Sequence, residues 1–283
     1  MAEAVRPTTA ALDDARKRVS ELSWYHTMDV LPGVTTPGWF DLRHALDTIP
    51  FPDVAGARCL DVGTWDGFYA FELERRGAAE VVAVDLPDLA DLDYPADVRA
   101  TPGFDPSFAT TQPRMAGFQL AHELRGSSVD WRGCSIYDLD PDELGTFDLV
   151  VVGSLLVHLR DPVRALEAVR RVTRGVLLSI DYTLPSVSLA ARHRPLFQLN
   201  GRGVDFQWWL ANAEGHRQLL RTAGFEIEAG SAPFLLRLRQ GGADAQSRPR
   251  TVHEAKQRAM NWLLTRDASP GHAHQALLGR PRF

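Results

Sequence analysis

Hydrophobic and polar positions fall into three different rhythms along the 283-residue chain. Over residues 8–23, Leu12, Val19 and Leu22 recur among charged residues, which predicts a helix capped by Thr8 or Thr9. Residues 24–40 replace periodicity with proline, glycine and aromatics, the signature of a loop that covers something. Asp41 is placed to cap a short helix through Ile49, with Leu42, Ala45, Leu46 and Ile49 on one face. From residue 57, short apolar runs alternate with helical spacing. Strands are predicted at Cys59–Val62, Glu80–Val84, Ser128–Ile136, Phe147–Val152 and Val176–Ile180, and helices at Asp66–Arg76, Pro113–Arg125 and Asp161–Arg174. The nearly unbroken apolar run Phe147–Val152 marks a strand buried on both faces. This alternation predicts βαβ units around a parallel sheet.

Beyond residue 180 the rhythm changes again. Residues 185–205 read as irregular, 206–223 as a helix that would carry Trp208 and Trp209, and 225–228 with 234–239 as a closing antiparallel pair of strands. Residues 240–250 read as a linker, 251–265 as an amphipathic helix, and the last residues as a mobile tail. The organisation predicted is a helical lid segment over 1–50, an α/β domain over 51–240, and an appendage over 241–283.

Composition narrows the classes. The chain is 45% hydrophobic and 24% charged, an ordinary globular balance, and it is long enough to bury a large core unaided. A net charge of -5 argues against a general binder of nucleic acid or of anionic membranes. Two cysteines, Cys59 and Cys134, form no disulfide framework and sit in apolar runs as inert thiols. Residues 1–20 lack the apolar core of a secretion signal, and no apolar stretch approaches the ~18 residues of a membrane span, so a soluble, cytoplasmic protein is expected. Of 31 basic residues only Lys17 and Lys256 are lysine. That is coding bias in origin, but it nearly excludes lysine-based chemistry.

The most informative segment is Leu60-Asp61-Val62-Gly63-Thr64-Trp65-Asp66-Gly67, where a strand meets a glycine turn and a helix. In an open sheet this is where a ligand binds. A dinucleotide fingerprint would need a second glycine where Trp65 stands, and the carboxylates Asp61 and Asp66 repel phosphate. They suit instead an ammonium or a ribose. Asp85 closes the second strand 24 residues after Asp61, about the spacing at which an acid takes ribose hydroxyls. A nucleoside cofactor bearing an amino acid is the reading that results.

Asp-x-Gly-x-x-x-Gly, Asp85, Ser-Ile-Tyr-Asp after strand three and Phe-Asp-Leu-Val-Val-Val-Gly-Ser-Leu-Leu resemble, in that order, a class I S-adenosylmethionine-dependent methyltransferase. The resemblance implies a Rossmann-like α/β sheet with an antiparallel C-terminal pair, flanked by helices. It implies S-adenosylmethionine as cofactor, with Asp61, Gly63, Thr64, Trp65 and Gly67 around the methionine end. Asp85 and Leu86 would meet the ribose, Ile136 and Tyr137 the adenine, and Gly153 and Ser154 the floor. Three further segments are similar to the wobble-uridine tRNA alkyltransferase group and its small-molecule relatives: residues 24–41, Leu155-Leu156-Val157-His158-Leu159-Arg160-Asp161-Pro162, and residues 208–225. The tRNA enzymes grip a carboxylated cofactor with lysines and a tyrosine before the histidine. Here no lysine lies between Lys17 and Lys256, and Val157 precedes His158. Ordinary S-adenosylmethionine and a small-molecule acceptor, an aromatic or heterocyclic secondary metabolite, are therefore expected.

Methyl transfer needs orientation and water exclusion first, and a base only if the nucleophile must lose a proton. His158, beyond the fourth strand, and Asp181, at the end of the fifth, are the first candidates; Tyr25 and His26 in the lid are the others. Trp24, Trp39, Phe40, Trp208 and Trp209 are the predicted substrate aromatics, suited to a flat acceptor or a sulfonium. No metal is expected, since His272 and His274 stand apart in the tail. The alternative of a tRNA wobble-uridine transferase predicts a basic groove, hinted at only by the arginines after residue 240.

Overall fold

A computed structural model describes residues 8–104, 112–200, 207–238 and 251–283. The predicted linker 240–250 and the ends of the segments 185–205, 206–223 and 234–239 fall wholly or partly outside these. The main sheet strands are β1 (Phe40–Asp41), β2 (Arg58–Val62), β3 (Glu80–Asp85), β4 (Asp130–Gly133), β5 (Phe147–Gly153), β6 (Thr173–Tyr182), β7 (Phe225–Gly230), β8 (Phe234–Leu238) and β9 (Gly271–Pro281). Strands β4, β3, β2, β5 and β6 lie side by side and parallel. This is the alternation of strand and helix read from the chain. It places four strand ends, Val62, Asp85, Gly153 and Tyr182, along one edge.

The closing strands differ from expectation. β7 and β8 do not pair with each other; both pair antiparallel with β9, which also pairs with β6. The supposed tail is thus a central strand, with Ala273, Ala276 and Leu277 fully buried and His272 and His274 held in register against β8. The last residues looked like a tail because the helix before them (Val252–Thr265) follows a polar stretch. Nothing local signals a strand whose partner β6 lies about 90 residues earlier in sequence. The short helix after Asp41 reduces to a single turn, Arg43–Ala45, because Phe40–Asp41 pairs with β8 as an edge strand.

The 206–223 helix is also corrected. Trp209–Ala211 is a strand paired with Phe197–Leu199, and the helix begins only at Ala213, after Asn212 caps it through Gly215 N–H. A further helix, Pro185–Ala190, lies in the stretch read as irregular.

Strand parity divides the core. Cys59, Val81, Ala83, Leu149, Val151, Leu178 and Ile180 face one side, where they meet Trp24, Val30, Phe71 and Phe118 from the lid and its supporting helices. Leu60, Val62, Val82, Val84, Val150, Val152 and Leu177 face the other, against Leu166 and Val169 of Pro162–Val172 and Leu220 of Ala213–Thr222. On the same count Asp61 and Asp85 belong to the lid side and Asp181 to the opposite side.

Candidate active site

The turn after β2 is built by its own backbone. Gly63 and Gly67 take φ +74° and +93°, in the left-handed region that favours glycine. Gly63 N–H and Thr64 N–H donate to the Val84 carbonyl, tying the turn to β3. Trp65 also lies in that region, at φ +49°, although it has a side chain. A glycine-rich version of the turn would relax there. Here the indole is carried into the site instead, 5.8 Å from the Tyr25 ring.

Asp61 is 1% exposed. Its Oδ2 accepts Thr64 Oγ1–H at 2.7 Å and Ala70 N–H at 3.1 Å, and its Oδ1 has no hydrogen-bonding partner among the described residues. Burial pushes its carboxyl up to about 7, against the pull of Thr64, His26 and Ala70. Close by, Tyr69 Oη is buried without a partner. A buried acid with one bare oxygen and a hydroxyl lacking a partner form an acceptor set that suits an ammonium group. Tyr69 also covers Gly153, where a Cβ would meet the ring at 2.2 Å.

Asp85 is different. Its Oδ2 accepts Trp65 N–H at 2.7 Å, and its Oδ1 accepts Leu86 N–H at 2.7 Å and an Arg114 N–H at 2.6 Å. Both oxygens are engaged, so the ribose position expected there is held by a guanidinium. Ile136 is buried in the core. Tyr137 is anchored through its hydroxyl to Asp93 at 2.6 Å, a carboxylate that also accepts Arg160 N–H. Ser154 takes φ +53° and pairs through Oγ with His274 Nε2 at 3.1 Å, a contact from β9 that the reading of that segment as a tail excluded.

The lid supplies the other half. His26 Nδ1 bonds Asp66 Oδ1, while Asp66 Oδ2 accepts the backbone N–H groups of Tyr25 and His26 at 2.9 and 2.8 Å. The imidazole stacks on Phe68 with centroids 5.0 Å apart. In the neutral imidazole, a carboxylate partner at Nδ1 places the proton there and leaves Nε2 as an acceptor. That nitrogen has no partner among the described residues. Asp66 was legible as a carboxylate beside the turn, but not as the partner of a histidine 40 residues earlier. Tyr25 is held as a phenol, its pKa raised by burial and by Asp66 and Asp181, which makes it a donor and not a base.

Beside Asp66 lies a cleft open to solvent, lined by Trp24, Tyr25, Trp39, Trp65, Arg114 and Phe118 among others. The predicted aromatics do not converge on it as one set. Trp24 forms its floor, fixed through Nε1 to the Val19 carbonyl, and Trp39, 50% exposed, stands at its mouth. Phe40 packs on Tyr25 at 4.8 Å. Trp208 and Trp209 instead donate to the carbonyls of Asp93 and Arg160, and Trp209 lines a second, smaller cavity.

Asp181 lines that second cavity. Its oxygens accept Leu156 N–H at 2.8 Å and Tyr182 N–H at 2.7 Å, which fixes the turn after β5. Burial raises its carboxyl to about 7, and the amides of Tyr182, Leu156 and Val157 draw it back down. With both oxygens committed to backbone, it is placed to hold a loop and not to take a proton from an acceptor. His158 ends the single turn Leu156–His158, half-buried.

Comparisons with known proteins bear on the family and the fold. Residues 39–229 match the model of a family described as a methyltransferase domain. Over 123 residues the chain is 30% identical to the ubiquinone biosynthesis O-methyltransferase of Xanthomonas oryzae pv. oryzae. That stretch is 43% of this chain and 41% of the relative, so the match spans about two fifths of the relative's length. The fold is similar to that of the N-terminal domain of EvdMO1 solved with SAH bound, with a TM-score of 0.53 at 15% identity over 99% of this chain and 100% of that one. The same domain in the presence of SAH and D-fucose gives 0.51 at 16% identity, over 96% and 97%.

Proposed function

The chain belongs to the methyltransferase-domain family, a family of S-adenosylmethionine-dependent enzymes, and we propose that its acceptor is a hydroxyl group on a small, flat, largely apolar molecule. The observation that carries this reading is the His26–Asp66 pair, whose Asp66 lines an aromatic cleft. S-adenosylmethionine supplies an activated sulfonium methyl, so the chain's own residues need only bind, orient, exclude water and manage one proton.

In this reading Asp61 takes the cofactor's ammonium with its bare oxygen, and Gly63 and Gly67 let the backbone approach. Trp24, Tyr25, Trp39 and Phe118 pack an aromatic acceptor and keep water from it. Asp66 holds His26 in the tautomer whose Nε2 accepts the proton of the acceptor hydroxyl as the oxygen attacks. O-methylation in the Xanthomonas relative fits a base of this kind. Asp61 and Asp66 oppose a polyanionic acceptor such as tRNA.

Transfer of label from S-[methyl-³H]adenosylmethionine to a panel of phenols and catechols tests the reading. His26→Ala is expected to lower kcat about 100-fold or more, the usual share of a general base, while S-adenosylhomocysteine binding by calorimetry stays within twofold. Equal loss of binding and turnover would move His26 from the acceptor to the cofactor. No binding of S-adenosylhomocysteine by the native chain would overturn the function itself.

A further inference from the structure

Arg114 lies at the meeting point of the turn and the cleft. Its terminal nitrogen is 2.6 Å from Asp85 Oδ1, with both side chains about nine-tenths buried. The guanidinium carbon sits 4.2 Å over the Trp65 ring. A carboxylate whose oxygens already accept two backbone amides has no capacity left for both this cation and a ribose diol. The two must exclude each other.

Two features mark this arginine as replaceable and not as a permanent strut. Its Nε is buried without a partner, so the pocket leaves one of its five donors unsatisfied. The residue after it, Met115, is held at φ +73°, in the left-handed region that costs a side-chain-bearing residue energy. The first cost is relieved if Arg114 swings out while Asp85 changes partners. The paired Trp65 face is exposed by the same movement.

We propose that Arg114 is a competitive occupant of the ribose position: it holds Asp85 until the cofactor's hydroxyls displace it, and so sets the cofactor affinity. This rests on the reading that Asp85 takes the ribose. Affinity for any ligand that needs Asp85 is then reduced by the fraction of molecules in which Arg114 is away from it.

The test is calorimetric titration of the full chain, native and Arg114→Gln, with S-adenosylhomocysteine, with adenosine and with L-methionine. Arg114→Gln is expected to bind S-adenosylhomocysteine and adenosine about threefold tighter or better, with L-methionine unchanged, because only the first two carry the ribose. Arg114→Lys, which keeps the charge but loses the planar fork, should fall between the two, and it stands in if the glutamine variant does not fold. Native binding with unchanged or weaker binding by the variants overturns the role of Arg114 alone. A native chain that binds neither nucleoside overturns the cofactor reading, and this proposal with it.

Discussion

Asp61 and Asp181 look alike by every local measure and differ in what surrounds them. Each lies within one residue of the end of a parallel strand, each is at least 96% buried, and burial raises each carboxyl to about 7. Asp181 gives both oxygens to backbone amides of its own strand and of the turn after β5. Asp61 gives one oxygen to Thr64 and Ala70 and keeps the other bare. Under the proposed function, burial and a raised pKa do not single out the working acid. The inventory of partners does. Asp85 makes the same point from the other direction, since an arginine fills what its position would otherwise offer.

Substitutions can break this contrast. The largest effect is expected for Asp61→Asn, which removes the charge from the bare oxygen. S-adenosylhomocysteine affinity should fall about 10- to 100-fold by calorimetry, the range for a hydrogen bond to a charged group. Asp181→Asn should instead leave that affinity intact and lower stability by about 1–3 kcal/mol in urea unfolding, because an amide N–H₂ cannot accept from Leu156 and Tyr182 on both sides. If the two results were exchanged, the assignment of roles would be reversed.

The pH dependence sharpens the same comparison. A carboxyl raised from 3.8 to about 7 binds a proton in the folded state that the unfolded chain has already lost. Its contribution to stability is therefore full below about 4 and is lost as the pH rises through about 7. Burial lowers His216 and His274 to about 3, so their contributions run the opposite way, lost as the pH falls from about 6.5 towards 3. Above about 6.5 the histidines are neutral in both states and the carboxyls dominate. Tm of the native chain should fall between about pH 6.5 and pH 8, and Asp181→Asn should flatten part of that fall. The smallest effect is expected for Thr64→Val, which removes one of the two donors to Asp61 Oδ2 and should weaken S-adenosylhomocysteine binding about two- to tenfold without altering Tm by more than a few degrees.

Much of the sheet was legible because each parallel strand carries its own signal. Phe147–Gly153 is apolar but for Asp148, and Gly63 and Gly67 announce the turn. The lid was legible as aromatic and loop-like. Its pairing of His26 with Asp66 was not, because a contact between residues 40 apart leaves no local trace. Trp208 and Trp209 misled for a related reason: their neighbours carry helical spacing, but pairing with Phe197–Leu199 draws Trp209 into a strand. Arg114 gave no signal at all, being one arginine among 29.

By itself the sequence determined the order of the parallel strands and the helices between them, the carboxylates at the strand ends and the glycine turn. These are local, since propensity, periodicity and φ preference act over a few residues. Only the tertiary structure decided that β9 completes the sheet, that parity turns Asp61 and Asp85 towards the lid and Asp181 away from it, and that Arg114 lies on Asp85. Such choices depend on which distant groups are left to satisfy a buried strand edge or a buried charge, and the chain settles them only when it closes on itself.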